Sequence, residues 1–118
     1  MCGIAGFVSL NIIDYKSVLK TMVDKMNHRG PDSNGIWYNK HYNVGLGHAR
    51  LTIVDLTISG HQPMNSISGR YTMIFNGEIY NHVSIRKELD AETKINWKGT
   101  SDTETILVAI ENWGLSKT

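Results

Sequence analysis

The sequence is poor in cysteine and proline, with one cysteine, Cys2, and two prolines in 118 residues. A single cysteine cannot form an internal disulfide, so the composition favours a reducing, cytoplasmic location. The twelve Lys and Arg residues are scattered and nearly balanced by eleven Asp and Glu residues. No basic surface is therefore indicated, and nucleic acid is not an expected partner.

Long apolar runs are also missing, since no stretch approaches the roughly 20 residues that span a bilayer. Residues 1–8 lack the basic region and cleavage site of a signal peptide, so no membrane partner is predicted. The five histidines are dispersed, and neither C-x-x-C nor H-E-x-x-H spacing occurs. We therefore predict no metal site. With 41% apolar and 19% charged residues, the chain has the composition of one globular domain.

Apolar periodicity and turn residues predict the element order β-α-β-β-β-α-α, an α+β fold. The first three strands are expected over 4–8, 33–38 and 44–53, and a helix capped by Asp14 over 15–27. A polar, ordered loop is expected over 55–69. A strand over 70–75 would turn tightly at Asn76-Gly77 into a returning arm over 78–80. Asn81 is expected to cap a short helix, and Ser101 to Glu104 has the capping-box form that begins the last helix.

Cys2 is the residue with the clearest chemical potential. If an aminopeptidase removes Met1, Cys2 carries both a thiol, with an ordinary pKa of about 8.5, and a free α-amine, with one of about 7.7–8.0. A proton can then pass between the two groups near neutral pH, and an amine that activates a neighbouring nucleophile is a known catalytic arrangement. Many inert proteins also begin with Met-Cys, so the other motifs must decide the interpretation.

Four segments form one ordered pattern along the chain. They are Met-Cys-Gly-Ile-Ala-Gly at 1–6, His-Arg-Gly-Pro-Asp-Ser-Asn-Gly at 28–35, Gly-His-Ala-Arg-Leu-Thr-Ile-Val-Asp-Leu at 47–56 and Phe-Asn-Gly-Glu-Ile-Tyr-Asn-His at 75–82. Gly-His-Gln-Pro-Met at 60–64 and Gly-Thr-Ser-Asp-Thr-Glu at 99–104 support them. This pattern strongly resembles the N-terminal glutaminase domain of glutamine-dependent asparagine synthetases, which are class II amidotransferases with an N-terminal nucleophile.

The resemblance implies a role for each site residue. Cys2 would be the nucleophile, and Asn76 and Gly77 the oxyanion donors, although Asn-Gly alone is more often a simple turn. Arg50 would bind the glutamine α-carboxylate, because its planar fork suits a carboxylate. Glu78 and Asp102 would bind the α-ammonium group. The same pocket would be lined by Leu51, Ile53 and Val54, which are equally good core residues.

The resemblance also implies what this chain of 1–118 does not contain. Complete domains of the family are αββα sandwiches of two antiparallel sheets, and residues 1–118 correspond to the first part of one. The ATP-dependent synthetase domain, with its Ser-Gly-Gly-x-Asp-Ser loop, would be a separate partner domain of the same protein. ATP and Mg²⁺ are expected only there, and the glutaminase step needs no cofactor.

Several alternatives stay open at this stage. The ammonia acceptor could be aspartate or a sugar (uronic) acid in polysaccharide synthesis, because the acceptor is chosen outside these residues. The chain could instead be a glutamine-binding module, or a fragment, without turnover. A redox-sensing thiol is disfavoured because Cys2 has no resolving cysteine and no obvious basic neighbour in sequence. A homodimer is also left open.

Overall fold

The computed structural model describes residues 1–11, 14–52 and 58–118, and the chain divides into two compact units. The first unit comprises Met1–Ile53, His61–Pro63 and Ile74–Asn76, and the second comprises Val54–Gly60, Met64–Met73 and Gly77–Thr118. Helices and antiparallel strands occur together, which confirms the predicted α+β class. The finer expectation of an αββα sandwich stays a prediction.

The first unit contains a three-stranded antiparallel sheet. Its strands are β1 (Gly3–Val8), β2 (Ser33–Asn39) and β3 (Val44–Arg50), in the spatial order β1-β3-β2. Strands β2 and β3 follow each other closely, joined by a turn in which Asn43 adopts a φ of 50°, a conformation that asparagine tolerates better than most residues. The third strand ends at Arg50, earlier than predicted, and Ile53 lies outside the described residues.

One helix, α1 (Tyr15–Lys25), covers one face of this sheet. It begins as predicted, because the Asp14 carboxylate accepts a hydrogen bond from the Ser17 N–H at 3.0 Å. Its buried side chains, Leu19 and Val23, lie against two glycines of β3. A Cβ at Gly45 would meet Leu19, and a Cβ at Gly47 would meet Val23. The small residues on this face of β3 therefore let the helix approach the sheet closely.

The second unit is mainly helical. Its two helices are α2 (His82–Glu92) and α3 (Asp102–Trp113), and its strands are the short pair β4 (Met64–Asn65) and β5 (Thr72–Met73), preceded by a 3-10 turn at Ile58–Gly60. The helices enclose the buried side chains of Leu89, Val108 and Ala109. In the parts of the chain that the structure describes, no helix is both long and apolar enough to cross a membrane.

The predicted tight turn at Asn76-Gly77 is wrong. The strand expected over 70–75 is reduced to β5, residues 78–80 form no strand, and neither Asn76 nor Gly77 has a positive φ. Backbone groups on both sides of the expected turn bond to side chains instead. Phe75 N–H donates to Gln62 Oε1 at 2.6 Å, and Ile79 N–H donates to an Asp102 carboxylate oxygen at 3.0 Å. These contacts replace the cross-strand bonds that a hairpin would need.

Candidate functional site

Cys2 lies immediately before the first strand, with its thiol fixed by backbone groups. The side chain is half-buried, and Sγ accepts a hydrogen bond from Leu51 N–H at 3.3 Å. Sγ also lies 3.5 Å from Leu51 O, to which the thiol can donate. Gly3 pairs with Ala49 in the ladder. Leu51 therefore follows the end of β3, next to the point where β1 begins. The thiol therefore has a defined position at this end of the two strands while remaining partly accessible.

The segment between α1 and β2 supports Cys2 and its neighbours. Arg29 Nε donates to the Cys2 carbonyl at 3.2 Å. Asp32 N–H donates to the Arg50 carbonyl at 3.0 Å, and the Asp32 carboxylate accepts from Thr52 N–H at 2.7 Å. Asp32 thus fixes the backbone on both sides of the residue that holds the thiol.

This supporting role was missed from the sequence. The sequence marks residues 28–35 as one motif segment, and no local feature links this segment to Cys2. The pairing of strands brings Arg29 to Cys2, although 27 positions separate them. Arg29 therefore holds the Cys2 backbone, and no residue near Cys2 in the sequence indicates this contact.

Arg50 is the last residue of β3 and is half-buried. It pairs with Ser33 in the β2–β3 register, and it lies at the same end of the sheet's strands as Cys2. The structure thus brings together Cys2, Arg50 and Leu51, three of the predicted site residues. Ile53 and Val54, which were expected to line the same pocket, lie outside the described residues.

His48 is a further residue to which the sequence assigned no role. It projects from β3 on the face opposite α1 and is 1% exposed, and neither ring nitrogen forms a hydrogen bond of good geometry. Burial lowers the pKa of His48 below the ordinary value of 6.5. The Phe75 backbone opposes this shift, whereas the charges of His61 and Arg50 add to it. A neutral imidazole at the centre of the sheet is the result.

Asn76 belongs to the first unit and is half-buried. The residue before it, Phe75, is fixed by the buried side chain of Gln62, whose Oε1 accepts from Phe75 N–H. The Gln62 side chain therefore sets the course of the backbone that leads into Asn76. In the predicted scheme a hairpin turn would have performed this function.

Gly77 and Glu78 belong to the second unit, and both are exposed. Glu78 was expected on the returning arm of a hairpin, and it lies instead on an irregular segment that leads to α2. The backbone of this segment is fixed one residue later, where Ile79 N–H donates to Asp102.

Asp102 is the first residue of α3 and is 8% exposed. Ser101 caps this helix as predicted, because its hydroxyl accepts from Glu104 N–H at 3.1 Å. One Asp102 oxygen accepts from Ile79 N–H, while the other lies 3.5 Å from the Thr103 hydroxyl. A carboxylate offers about four lone-pair positions, so Asp102 retains acceptor capacity for a cationic group.

The carboxylates and histidines do not gather into a metal centre in residues 1–11, 14–52 and 58–118. No group of three or more His, Cys, Asp or Glu side chains in those ranges could hold an ion. The residues around Cys2 offer a thiol positioned by the backbone of Leu51 and a carbonyl held by the Arg29 guanidinium.

Comparisons with known proteins place this arrangement in a family. Residues 1–118 match the family described as "Glutamine amidotransferase domain". Asparagine synthetase (glutamine-hydrolyzing) 3 of Bacillus subtilis is 39% identical, over 96% of this chain and 18% of that protein. Asparagine synthetase (glutamine-hydrolyzing) 1 of the same organism is 37% identical, over 96% and 18%. The protein named Amidase chry2 of Gibberella zeae is 38% identical, over 98% and 19%.

The chain thus spans about a fifth of the length of these relatives. In each of them the similar region includes nearly all of the present sequence, and the family match extends from the first residue to the last. The motif pattern, the fixed thiol of Cys2 and these similarities agree. The chain belongs to the glutamine amidotransferase domain family over the whole of residues 1–118.

Proposed function

We propose that this chain is the glutaminase part of an asparagine synthetase-like amidotransferase, with Cys2 as an N-terminal nucleophile once Met1 has been removed. The observation that carries the proposal is the position of the Cys2 thiol. The thiol is half-buried at the start of β1 and is held by both backbone groups of Leu51. It is also adjacent to the backbone nitrogen of Cys2 itself. While Met1 is attached, that nitrogen is an amide and cannot serve as a base.

The reaction would proceed in two covalent steps. The α-amine takes the thiol proton, and the thiolate attacks the glutamine carboxamide carbon to give a tetrahedral intermediate. The carbon–nitrogen bond then breaks, and ammonia leaves with the proton returned by the α-ammonium group. Water hydrolyses the resulting thioester, giving glutamate and the free thiol.

The other site residues would stabilise charge and orient the substrate. The Asn76 amide and the Gly77 N–H would bind the developing oxyanion, and loss of one such donor typically lowers the rate by about 100- to 1000-fold. Arg50 would bind the α-carboxylate, and Asp102 and Glu78 the α-ammonium group. These roles rest on the family motif, and the burial of Asp102 beside an open acceptor position supports its part.

The acceptor of ammonia lies beyond the chemistry of residues 1–118. Two of the relatives cited are named as glutamine-hydrolyzing asparagine synthetases, which supports aspartate over a sugar acid. ATP and Mg²⁺ would serve only to activate the acceptor. The described residues supply neither a metal cluster nor the Ser-Gly-Gly-x-Asp-Ser loop, so we derive no step through either group. A cytoplasmic location belongs to the same proposal and rests on the single cysteine.

The experiment that tests the proposal combines N-terminal processing with activity. Intact mass and N-terminal sequencing of the natural full-length protein would report whether Cys2 is the first residue. Glutamine-dependent ammonia release would be measured on the same sample. We expect a free Cys2 and an activity that Cys2→Ala abolishes, because residues 1–118 contain no other cysteine to replace the nucleophile.

A matched control is Cys2→Ser, which keeps a weaker nucleophile at the same position and should retain glutamine binding while losing most turnover. Retained Met1, or a free Cys2 with no ammonia release, would contradict the proposal that the protein is a glutaminase. Glutamine binding in that case would establish a binding module without turnover.

A further inference from the structure

Arg86 is a charged residue that the proposed mechanism does not use, and it is largely buried in the second unit. Its side chain is 16% exposed. Its guanidinium donates four hydrogen bonds, to the Gly99 carbonyl at 2.8 Å, the Ser101 carbonyl at 2.9 Å, the Thr105 hydroxyl at 2.8 Å and the Glu104 carboxylate. It also forms an ion pair with Glu104 at 3.3 Å. Arg86 therefore fixes the backbone on the N-terminal side of α3 at two carbonyl groups.

Glu104 completes the arrangement from the helix side. Its carboxylate accepts from Lys98 N–H at 2.7 Å and from Gly99 N–H at 3.0 Å. The guanidinium of Arg86 lies over the indole ring of Trp97, with 4.0 Å between the guanidinium carbon and the ring centroid. In a capping box, Glu104 would bond back to the helix start. Here it holds the preceding segment instead.

The residue that depends on this arrangement is Asp102. It follows Ser101 directly, so the bond from Arg86 to the Ser101 carbonyl fixes the peptide group from which Asp102 projects. The Asp102 carboxylate is buried and bonded on one oxygen to Ile79 N–H. A displacement of this peptide would move the remaining acceptor positions, and errors of about 1 Å in a positioned group can cost about 100-fold in rate.

We propose that Arg86 is a positioning residue for recognition of the substrate's α-ammonium group, acting through Ser101 and Asp102. This inference rests on the proposed function, in which Asp102 accepts that group. A lysine would not replace Arg86, because a single ammonium cannot reach three acceptors in the fixed directions that a guanidinium fork provides.

The test separates recognition from stability by using two substrates. Glutamine carries the α-ammonium group, and 4-carbamoylbutanoate is the same molecule without it. The natural full-length protein should prefer glutamine in kcat/KM. Arg86→Lys should lower that preference by about tenfold, mainly through the KM for glutamine, with kcat/KM for 4-carbamoylbutanoate changed by less than about twofold. A purely structural role would lower kcat/KM for both substrates by the same factor.

Two further variants keep the test decisive. Glu104→Gln retains size and one acceptor oxygen but removes the ion pair and the acceptor of one backbone N–H, and should lower the preference by about threefold. It provides the measurement if thermal unfolding shows that Arg86→Lys does not fold. Arg70→Lys is the matched control, since Arg70 is an exposed arginine of the same unit whose guanidinium lies 5.2 Å from the Tyr71 ring. It should leave the preference unchanged.

The outcomes distinguish this inference from the proposed function. If the natural protein hydrolyses glutamine preferentially and Arg86→Lys and Glu104→Gln keep that preference, the positioning role is overturned. If the natural protein releases no ammonia, the proposed function fails, and calorimetric binding of the same two compounds replaces kinetics. Loss of the binding preference in Arg86→Lys would then support the positioning role, and its retention would overturn it.

Discussion

The two units of the chain hold their candidate site residues by different means. In the first unit, Cys2 and Arg50 lie at the same end of the sheet's strands, and the hydrogen bonds between the strands set their positions. In the second unit, Asp102 lies at a helix start whose position depends on the side chains of Arg86 and Glu104. Hydrogen-bonded strands tolerate changes of side chain but not changes in the distance between neighbouring backbones. We therefore expect added volume to damage the first unit most, and removed polar groups to damage the second.

The largest effect is expected from adding one methyl group to the sheet. Gly35 of β2 lies where a Cβ would overlap the Gln62 carbonyl oxygen, so Gly35→Ala must displace backbone. We expect the free energy of unfolding to fall by about 3 kcal/mol, the upper end of overpacking costs. Urea unfolding would measure it. The control is Asn34→Ala, an exposed neighbour on the same strand, expected to change stability by less than about 1 kcal/mol. Equal stability of the two variants would contradict the close contact.

Lowering the pH should destabilise the two units in different pH ranges. Burial holds the pKa of His48 below 6.5. In the unfolded chain this imidazole binds a proton near pH 6.5, while in the folded chain it does not. Stability therefore falls as the pH decreases from 6.5 toward the folded pKa, by up to about 1.4 kcal/mol per pH unit. His48→Gln should remove this loss, measured by urea unfolding between pH 8 and about pH 5.

The counterpart in the second unit is Glu111. Partial burial raises the pKa of its carboxyl, but hydrogen bonds from Ser66 and Ser68 outweigh this and lower the pKa below 4.5. Stability from Glu111 is thus present above pH 4.5 and is lost only as the pH falls through the folded pKa. Glu111→Gln should leave the slope near pH 6 unchanged. The comparison is wrong if Glu111→Gln, and not His48→Gln, flattens that slope.

The smallest effects are expected at the two helix caps. Ser101→Ala removes the acceptor of a buried N–H group, whereas Asp14→Ala removes that of an exposed one, which water can replace. We expect losses of about 1.5 kcal/mol and about 0.5 kcal/mol, respectively, within the measured range for caps. Thermal unfolding of the two single variants would compare them. A larger loss for Asp14→Ala would show that burial does not decide the cost.

Local signals were sufficient wherever a segment determines its own structure. Helix α1 begins after Asp14 and α3 after Ser101, as their capping residues predicted. Helix α2 also begins after Asn81, although the Asn81 side chain forms no capping bond. The partial strands and the order β1-β3-β2 required long-range pairing, which periodicity does not encode. The candidate site followed the same division, since motifs indicated Cys2 and Asp102 but not Asp32 or Arg86.

The error at Asn76-Gly77 has a definite physical cause. An Asn-Gly pair favours a hairpin when the neighbouring N–H groups have only each other's strands as partners. Here the N–H of Phe75 bonds to the side chain of Gln62, and that of Ile79 to Asp102. Both partners are distant in sequence, so no local pattern could reveal them, and they override the preference of the dipeptide.

The strand order of the sheet has a consequence for folding. Strands β2 and β3 can pair as soon as their short connection forms, whereas Gly3 must find Ala49 across most of the unit. Both β1 and β2 lie at an edge of this sheet, but closing the longer loop costs more chain entropy. We therefore expect β1 to dock last and to detach first. Detachment also releases the Cys2 thiol from Leu51. The half-buried Cys2 thiol should therefore be alkylated faster whenever β1 leaves the sheet more often.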